Sequence, residues 1–295
     1  MISEITARAF ATSANMGVMF DCGAIAIKEL YCDITFKPLN SGYKISVEGY
    51  GKNHIPINEH NFAYMAINEY LKYTNLTLKG FSLHINNTIP FYGGLGSSAA
   101  SIIASLKIIN KYFNNKLSST QLLEIALKVE PHGDNLLACL LGGFTLFSDD
   151  SNIKINVPND LVAVLTIPNY RVSTKAARKV LPSTYPIKTS IKALQNSSLL
   201  TYAMINSDFD ILKKVLQNDL IHEPFRHKLN TALEDIRNFA NNNNSLGTTI
   251  SGSGSTIISF VKKENQETLY NALIIKFSKY KIIKISFTNQ GATLL

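Results

Sequence analysis

No apolar run in this 295-residue chain reaches the ~18 residues that a membrane span requires. The first residues also lack the basic-then-apolar pattern of a secretory signal. A cytoplasmic location is therefore expected, with no membrane partner. Cysteine is scarce: Cys22, Cys32 and Cys139 are the whole complement, without metal-ligand spacing. An odd number argues against a disulfide framework, and each stands among apolar neighbours, as a small buried hydrophobe does. Charged residues make up only 17%, so Asn and Ser carry much of the polar surface. There is no internal repeat, and no basic run interleaves with aromatics. The net charge of +8, from 29 basic and 21 acidic residues, therefore fits an enzyme handling a polyanion better than a nucleic-acid binder; no nucleic-acid partner is expected.

What is present is a globular composition, 45% apolar, in a chain long enough for two domains. Period-two alternation at 43–48 (Ile45, Val47) and 81–87 (Phe81, Leu83, Ile85) predicts half-buried strands. Helical spacing predicts helices at 61–73 and, more strongly, at 98–113, where Ile102, Ile103, Leu106, Ile109 and Phe113 share a face. Ser118 or Ser119 can cap a further helix at about 120–129. Leu140 to Phe147, with Gly142-Gly143 inside it, reads as a helix stop followed by a strand. The polar stretch Asp149 to Asn152 precedes an apolar run at 161–167 suited to a strand covered on both faces. A boundary near 150–160 is expected, giving domains 1–155 and 156–295. The second holds predicted helices at 174–180, 189–205, 208–218 and 228–241, then an Asn-rich loop at 241–244, a strand near 255–261 and a helix at 265–278. A closing strand carries Ile283, Ile285 and Phe287. The pattern is α+β, with helices laid on mixed sheets.

The chemistry concentrates in Pro90-Phe91-Tyr92-Gly93-Gly94-Leu95-Gly96-Ser97-Ser98-Ala99-Ala100. It ends a predicted strand and opens a predicted helix. Glycines let backbone N–H groups approach a bulky anion, and the helix adds its unpaired N–H groups and positive dipole end. Ser97 or Ser98 can offer an oxygen to Mg²⁺. This phosphate cradle differs from the G-x-x-x-x-G-K-[ST] loop, because Ser97 stands where a lysine would follow Gly96.

Four other segments stand out. Residues 11–21 read as a loop of small and polar residues in which Asn15 and Asp21 can orient a ligand, although turn chemistry alone explains many such loops. Glu130-Pro131-His132-Gly133-Asp134-Asn135 packs an imidazole, a carboxylate and an amide together, too few for a metal site from His132 and Asp134 alone. Residues 173–182 open a helix with a capping hydroxyl and send Thr174 and Arg178 to one face. Arg226, in His222-Glu223-Pro224-Phe225-Arg226, is a second arginine; two such groups can clamp a carboxylate or can simply be exposed ion-pairing residues. Gly247 to Ser255 is a second glycine-rich turn, fit for close backbone approach or for joining strands.

In order, these segments resemble the three motifs of the GHMP kinases: a short N-terminal one, the P-x-x-x-G-L-G-S-S-A-A cradle and a late Gly-rich turn, spanning residues 11–255. The first motif, H-G-D-N at 132–135, L-L-G-G-F-T at 140–145, S-T-K-A-A-R at 173–178 and H-E-P-F-R at 222–226 look most like the branch that phosphorylates an amino-acid alcohol. The resemblance implies a two-domain fold, a ribosomal-protein-S5-like domain 2 type followed by a ferredoxin-like α/β sandwich. It implies ATP-dependent phosphorylation of the side-chain hydroxyl of L-homoserine, on the route to threonine, with Mg²⁺. Mevalonate or shikimate is the alternative alcohol; neither carries an ammonium. The resemblance further implies that Asn15, Asp21, His132, Thr174, Arg178 and Arg226 hold the substrate. Asp134 with Asn135 lies beside the reaction, Asp134 being the rival to a mechanism without a base. Asn61 would lie near the adenine. The late turn would contribute Ser251, Gly252 and Gly254. Ser98 matches the hydroxyl that meets Mg²⁺; the acidic ligand, eight residues before the motif histidine, falls on Glu124, with Glu130 nearer. Members of the family often form dimers, so a homodimer is among the partner expectations. Met19, Phe10 and Ser255 depart from the family's usual glycine, proline and proline.

Overall fold

A computed structural model describes residues 4–91 and 93–295; Tyr92 of the expected cradle lies outside them. The chain opens with β1 (Ile5–Asn15) and β2 (Met19–Pro38), an antiparallel hairpin. Residues 11–21 are therefore not the expected loop but two strand ends joined by a tight turn. Thr12, Ser13 and Asn15 are small or polar, yet buried, so their composition imitates a loop. The turn puts Asn15, Met16 and Gly17 at positive φ, a conformation Asn tolerates better than most residues. Met19 pairs with Asn15 and is buried, its Sδ accepting a hydrogen bond from Ser197 Oγ at 3.1 Å. Phe10 is buried in β1. Cys32 and Cys139 are buried as expected; Cys22 is only half-buried.

β3 (Gly42–Gly49), α1 (Phe62–Thr74) and β4 (Gly80–Asn87) follow, and the predicted strands pair in parallel across the α1 crossover. Then come α2 (Ser97–Tyr112), α3 (Ser119–Val129), α4 (Gly133–Leu141), β5 (Phe144–Phe147) and β6 (Asn152–Ile155). Ser118 caps α3 in a reciprocal box with Gln121. α2 and α4 lie on β1 and β2, while α1 and α3 flank them. α2 is buried almost all round, which is why its residues are apolar on more than one face.

A second sheet is built from β7 (Leu161–Ile167), β8 (Gly247–Ile250), β9 (Ile257–Lys262) and β10 (Lys281–Ser286), in the antiparallel order β10-β7-β9-β8 of a ferredoxin-like fold. Between β7 and β8 run α5 (Thr174–Lys179), α6 (Ile187–Asn206), α7 (Phe209–Val215), α8 (Glu223–Arg226) and α9 (Leu233–Asn241); α10 (Gln266–Lys276) precedes β10. A final β11 (Thr293–Leu294) returns to pair with β1 in the first sheet. Phe287 lies past β10 and bridges to Ile27. The helix expected at 228–241 begins only at Leu233. Asn230 is buried, its N–H bonded to the carbonyls of Arg226 and His227, a turn that Asn favours over helix. β8 was hidden in the second glycine-rich turn by its four-residue length.

α8, α9 and β8 are tied by buried charge. Glu223 accepts from the Ile250 N–H at 2.6 Å and pairs with Arg237, whose Nε donates to the Thr248 carbonyl at 2.9 Å. Breaking a buried pair by removing one partner costs about 3–5 kcal/mol. Arg237→Ala is therefore expected to lower unfolding stability by about 3 kcal/mol in urea titration at pH 8. The loss shrinks as pH falls through 7 toward 3, where the folded and then the unfolded carboxyl become neutral; a loss independent of pH would contradict this assignment.

Candidate active site

The three glycine-bearing segments meet at one point. Gly94 and Gly96 have φ near +70° and +66°. A Cβ on Gly94 would stand 2.2 Å from the Ser251 carbonyl oxygen, and one on Gly96 2.0 Å from Thr12 Oγ1. Only glycine fits at either place. The turn is fastened by Ser251 Oγ donating to the Gly94 carbonyl at 2.8 Å, and by the N–H groups of Thr12 and Thr256 donating to the carbonyls of Leu95 and Gly93. α2 starts at Ser97 with Gly96 as its cap residue and no side-chain cap. Its first N–H groups are left for an anion.

The turn forms one end of a cavity of about 550 Å³. Of the residues expected to hold the nucleotide, Pro90, Phe91, Gly93 to Ser98, Asn61 and Gly252 line it. Ala99 and Ala100 do not; they are buried beneath the first turn of α2. Ser251 and Gly254 support the turn from behind. A Cβ on Gly254 would meet Asn230. Asn61 caps α1 by accepting from the Ala63 N–H.

The other end carries Asn15, Asp21, His132, Asp134, Asn135, Thr174, Arg178 and Arg226, so the structure gathers every predicted substrate-binding residue into this cavity. Asn15 donates to the Gly252 carbonyl at 2.8 Å and accepts from the Asp21 N–H, joining the hairpin to the late turn. Arg178 grips Asp21 through two bonds of 3.0 and 2.9 Å. Its Nη2 also reaches His132 Nδ1 at 3.1 Å. A guanidinium only donates, so Nδ1 accepts and His132 is neutral; burial and Arg178 both push its pKa down. Arg226 is buried, its Nε donating to the Ala177 carbonyl and its Nη1 to the Gly252 carbonyl and His222 Nδ1. Of the two arginines, only Arg178 is an exposed ion-pairing group.

Two residues were missed in sequence. His222 is fully buried and donates from Nε2 to the Gly17 carbonyl at 2.8 Å, which leaves Nδ1 to hold Arg226. Burial lowers its pKa to about 4 and keeps it neutral. Phe20 stacks on His222 and lies 5.1 and 5.9 Å from the Arg226 and Arg178 guanidinium carbons. Their signal was adjacency: Phe20 precedes Asp21, and His222 opens the segment that ends in Arg226.

The acidic residue near the cradle is not Glu124. Glu124 is exposed on the outer face of α3, accepting from the Tyr73 hydroxyl. The chain turns inward only after α3 ends, and Glu130 is the carboxylate that lines the cavity. Burial raises its pKa, opposed by a hydrogen bond from Ser98. Its Oε2 has no partner. A hydroxyl and an unsatisfied carboxylate oxygen beside a phosphate cradle fit Mg²⁺, which binds proteins through one or two such groups and takes its other ligands from phosphate and water. Among the described residues there is no cluster of three or more His, Cys, Asp or Glu that could enclose a metal alone.

Sequence profiles of the GHMP kinases match twice, the N terminal domain over residues 61–143 and the C terminal region over 199–279. The homoserine kinase of Aliarcobacter butzleri is 32% identical over 290 residues, 96% of this chain and 97% of that one. The chain belongs to the GHMP kinases, within the homoserine kinase family. The homoserine kinase of Clostridium acetobutylicum is 33% identical over 97% of this chain and 98% of its own. The crystal structure of homoserine kinase from Cytophaga hutchinsonii superposes with a TM-score of 0.92 at 28% identity, covering 100% of this chain and 98% of that one. Mevalonate diphosphate decarboxylase from Staphylococcus aureus, at TM-score 0.76 and 14% identity over 100% of this chain and 98% of its own, shares the GHMP kinase fold alone.

Asp134 sits in the first turn of α4, where its Oδ1 accepts from the Asn135 N–H at 2.7 Å and from Asn135 Nδ2 at 3.2 Å; Asn135 Oδ1 accepts in turn from Thr12. Burial pushes the Asp134 pKa up to about 6, the Asn135 hydrogen bond opposing it. The folded chain thus holds this proton to higher pH than the unfolded chain. Its contribution to stability is complete below about pH 4 and is lost as pH rises through 6, on the order of 3 kcal/mol in all. Asp134→Asn, which cannot ionise, is expected to flatten that decline in thermal melts between pH 4 and 8. An unaltered slope would contradict it.

Proposed function

We propose that this kinase transfers the γ-phosphoryl group of ATP to the side-chain hydroxyl of L-homoserine, giving O-phospho-L-homoserine and ADP, in the cytoplasm. The observation that carries this reading is the polarity of one cavity. One end offers open backbone N–H groups at a helix N-terminus; the other sets Asp21 against Arg178 and Arg226. The first suits a triphosphate, the second a zwitterion.

The pocket already holds the exchange that substrate binding needs. Asp21 and Arg178 neutralise each other. A zwitterionic amino acid replaces that pair with two new ones, its ammonium on Asp21 and its carboxylate on Arg178 and Arg226. A plain carboxylic acid takes the arginine and leaves Asp21 without a cation. This disfavours mevalonate and shikimate as substrates. The hydroxyl then lies between the clamp and the cradle, aimed in line at the γ-phosphorus. Phosphoryl transfer is chiefly positioning and charge stabilisation. Mg²⁺, held by Ser98 and Glu130, would supply neutralisation of the phosphate charge when bound. The α2 N–H groups hold the phosphate oxygens in place without reorganising. Asp134 is tied to the start of α4 by Asn135, and the hydroxyl proton passes to the phosphoryl oxygen.

ADP release measured over L-homoserine, mevalonate and shikimate is expected to be fast with L-homoserine alone. Equal turnover of mevalonate would overturn the zwitterion reading. Arg178→Ala removes a charged hydrogen bond worth about 1.5–3 kcal/mol, a ~10–150-fold rise in the KM for L-homoserine, with the KM for ATP little changed. Arg226→Ala carries the same expectation, but its bonds to Ala177, His222 and Gly252 make it a stability variant too, so Arg178 is the cleaner test. Asp134→Asn is expected to keep kcat within about tenfold; a loss beyond ~10³, the range of general-base catalysis, would make Asp134 the base.

A further inference from the structure

Arg226 is a buried cation on which three carboxylates pull. Asp21, Asp219 and Glu223 all attract it, Asp21 most strongly. Yet among the described residues its hydrogen bonds go to neutral acceptors. Nε donates to the Ala177 carbonyl at 3.1 Å, and Nη1 to the Gly252 carbonyl and to His222 Nδ1, each at 3.2 Å. Nη2 is the nitrogen left to a ligand. Neutral acceptors aim a guanidinium without cancelling its charge, whereas a carboxylate in their place would weaken its pull on a second anion.

Two of the three acceptors are main-chain carbonyls, fixed with the fold. The third is a side chain that accepts at Nδ1 only while its proton sits on Nε2. The Gly17 carbonyl sets that tautomer by accepting from Nε2 at 2.8 Å. Gly17 is itself pinned: a Cβ there would stand 1.9 Å from the Leu216 carbonyl oxygen. Phe20 sets the tilt of the ring, stacked with centroids 5.1 Å apart and planes at 27°. Burial keeps the imidazole neutral, its pKa lowered to about 4, so that Nδ1 does not turn a proton toward the guanidinium. Tautomer, tilt and charge of one ring are thus each fixed separately. Both partners are buried, so Nη1 has no solvent to turn to in place of Nδ1.

We propose that His222 is a positioning residue for the substrate carboxylate: acting through Arg226, it keeps that guanidinium turned to the pocket and away from Asp21, and so lets the site tell an amino alcohol that carries a carboxylate from one that does not. The inference rests on the zwitterion reading of the pocket. Without an acceptor at this place Arg226 swings to Asp21, and the two ends of the clamp close on each other.

The test compares L-homoserine with 3-aminopropan-1-ol, the same molecule without its carboxylate, by ADP release at saturating ATP. His222→Gln places an amide near Nε2 and no acceptor near Nδ1. It is expected to lower the ratio of kcat/KM for L-homoserine over that for 3-aminopropan-1-ol by about tenfold or more, chiefly through the KM for L-homoserine. His222→Asn keeps an oxygen near the place of Nδ1 and is expected to hold the ratio within about threefold of wild type. In an Arg226→Ala background His222→Gln is expected to change the ratio no further, because a group that acts through Arg226 has nothing left to aim. Loss of packing alone would weaken both substrates together. An unmoved ratio in His222→Gln, or effects of His222→Gln and Arg226→Ala that simply add, would overturn the proposal. Should the variants fail to fold, the nitrogen-15 spectrum of the wild-type imidazoles at pH 7 decides. His222, identified by its contact with the Phe20 ring, is expected to carry a proton on Nε2 and none on Nδ1; the other tautomer or a doubly protonated ring would overturn the assignment. Wild-type protein that releases no ADP with L-homoserine fails the substrate reading and takes this one with it, whereas wild-type turnover with an unmoved ratio in the variant sinks this inference alone.

Discussion

The close packing at Gly94, against the backbone of Ser251 and Gly254, and at Gly96, against the side chain of Thr12, is the constraint on which the rest of this protein depends. A phosphate cradle needs N–H groups pointing into a cavity, and such a turn cannot hold its shape alone. Here it is held from both sides. The hairpin contributes Thr12, and the late turn contributes Ser251 and Thr256. These supports approach so closely that a methyl group at either glycine would collide with them. The sequence separation of the three motifs is thus a consequence of folding. Two belong to the first sheet and its helices and the third to the β8–β9 turn of the second. The cradle exists only where the two sheets' elements meet.

The same meeting creates the polar end of the cavity. Asn15 joins hairpin to late turn, and Arg226 joins α8 to the carbonyls of Ala177 and Gly252. Behind Arg226 stands a chain of buried groups. Asp219 accepts from the N–H groups of His222 and Glu223, His222 holds Arg226, and Glu223 holds Arg237 and the start of the late turn. A buried guanidinium with all these partners has one orientation. Arg178 has none of them beyond Asp21 and His132, and it rides on a six-residue helix with an exposed outer face. The pocket therefore pairs a fixed arginine with one free to change partners, which is what the proposed exchange of Asp21 for a substrate carboxylate would require.

How much of this the sequence discloses follows from the range of the interactions. Local patterns were legible: the helical spacing from Ile102 to Ile109, a serine cap at 118 or 119, and the glycines before Ser97. The grouping of Asn15, Asp21, His132, Thr174, Arg178 and Arg226 was legible through family likeness, because each sits in a short motif. The illegible parts were those where tertiary burial overrides composition. Thr12, Ser13 and Asn15 look like loop residues and are buried strand ends. Asn230 breaks a helix that periodicity would have continued. Glu124 has the family's spacing, yet the outer face of α3 carries it away from the cradle, and the chain that turns inward past that helix brings Glu130 instead. Spacing along a chain states a direction only while the element lasts; at the C-cap of α3 the direction changes.

One electrostatic feature needs its own account. Three carboxyl groups, Asp21, Glu130 and Asp134, line the cavity proposed to take ATP, and like charge there would oppose the binding of a triphosphate. The three are handled differently. Asp21 is answered by Arg178. Asp134 is buried and Glu130 half-buried, and burial favours their neutral forms. Asp134 further spends an oxygen on its own helix. Glu130 alone keeps a buried oxygen without a partner, and it lies beside Ser98 at the mouth of α2. A carboxyl in that position is a cost to the free protein and a hindrance to a bare nucleotide. If ATP binds as proposed, a cation arriving with the phosphates would recover that cost, and nucleotide and metal binding would be coupled through this one side chain: neutral backbone donors would hold the anion and an acid its counter-ion.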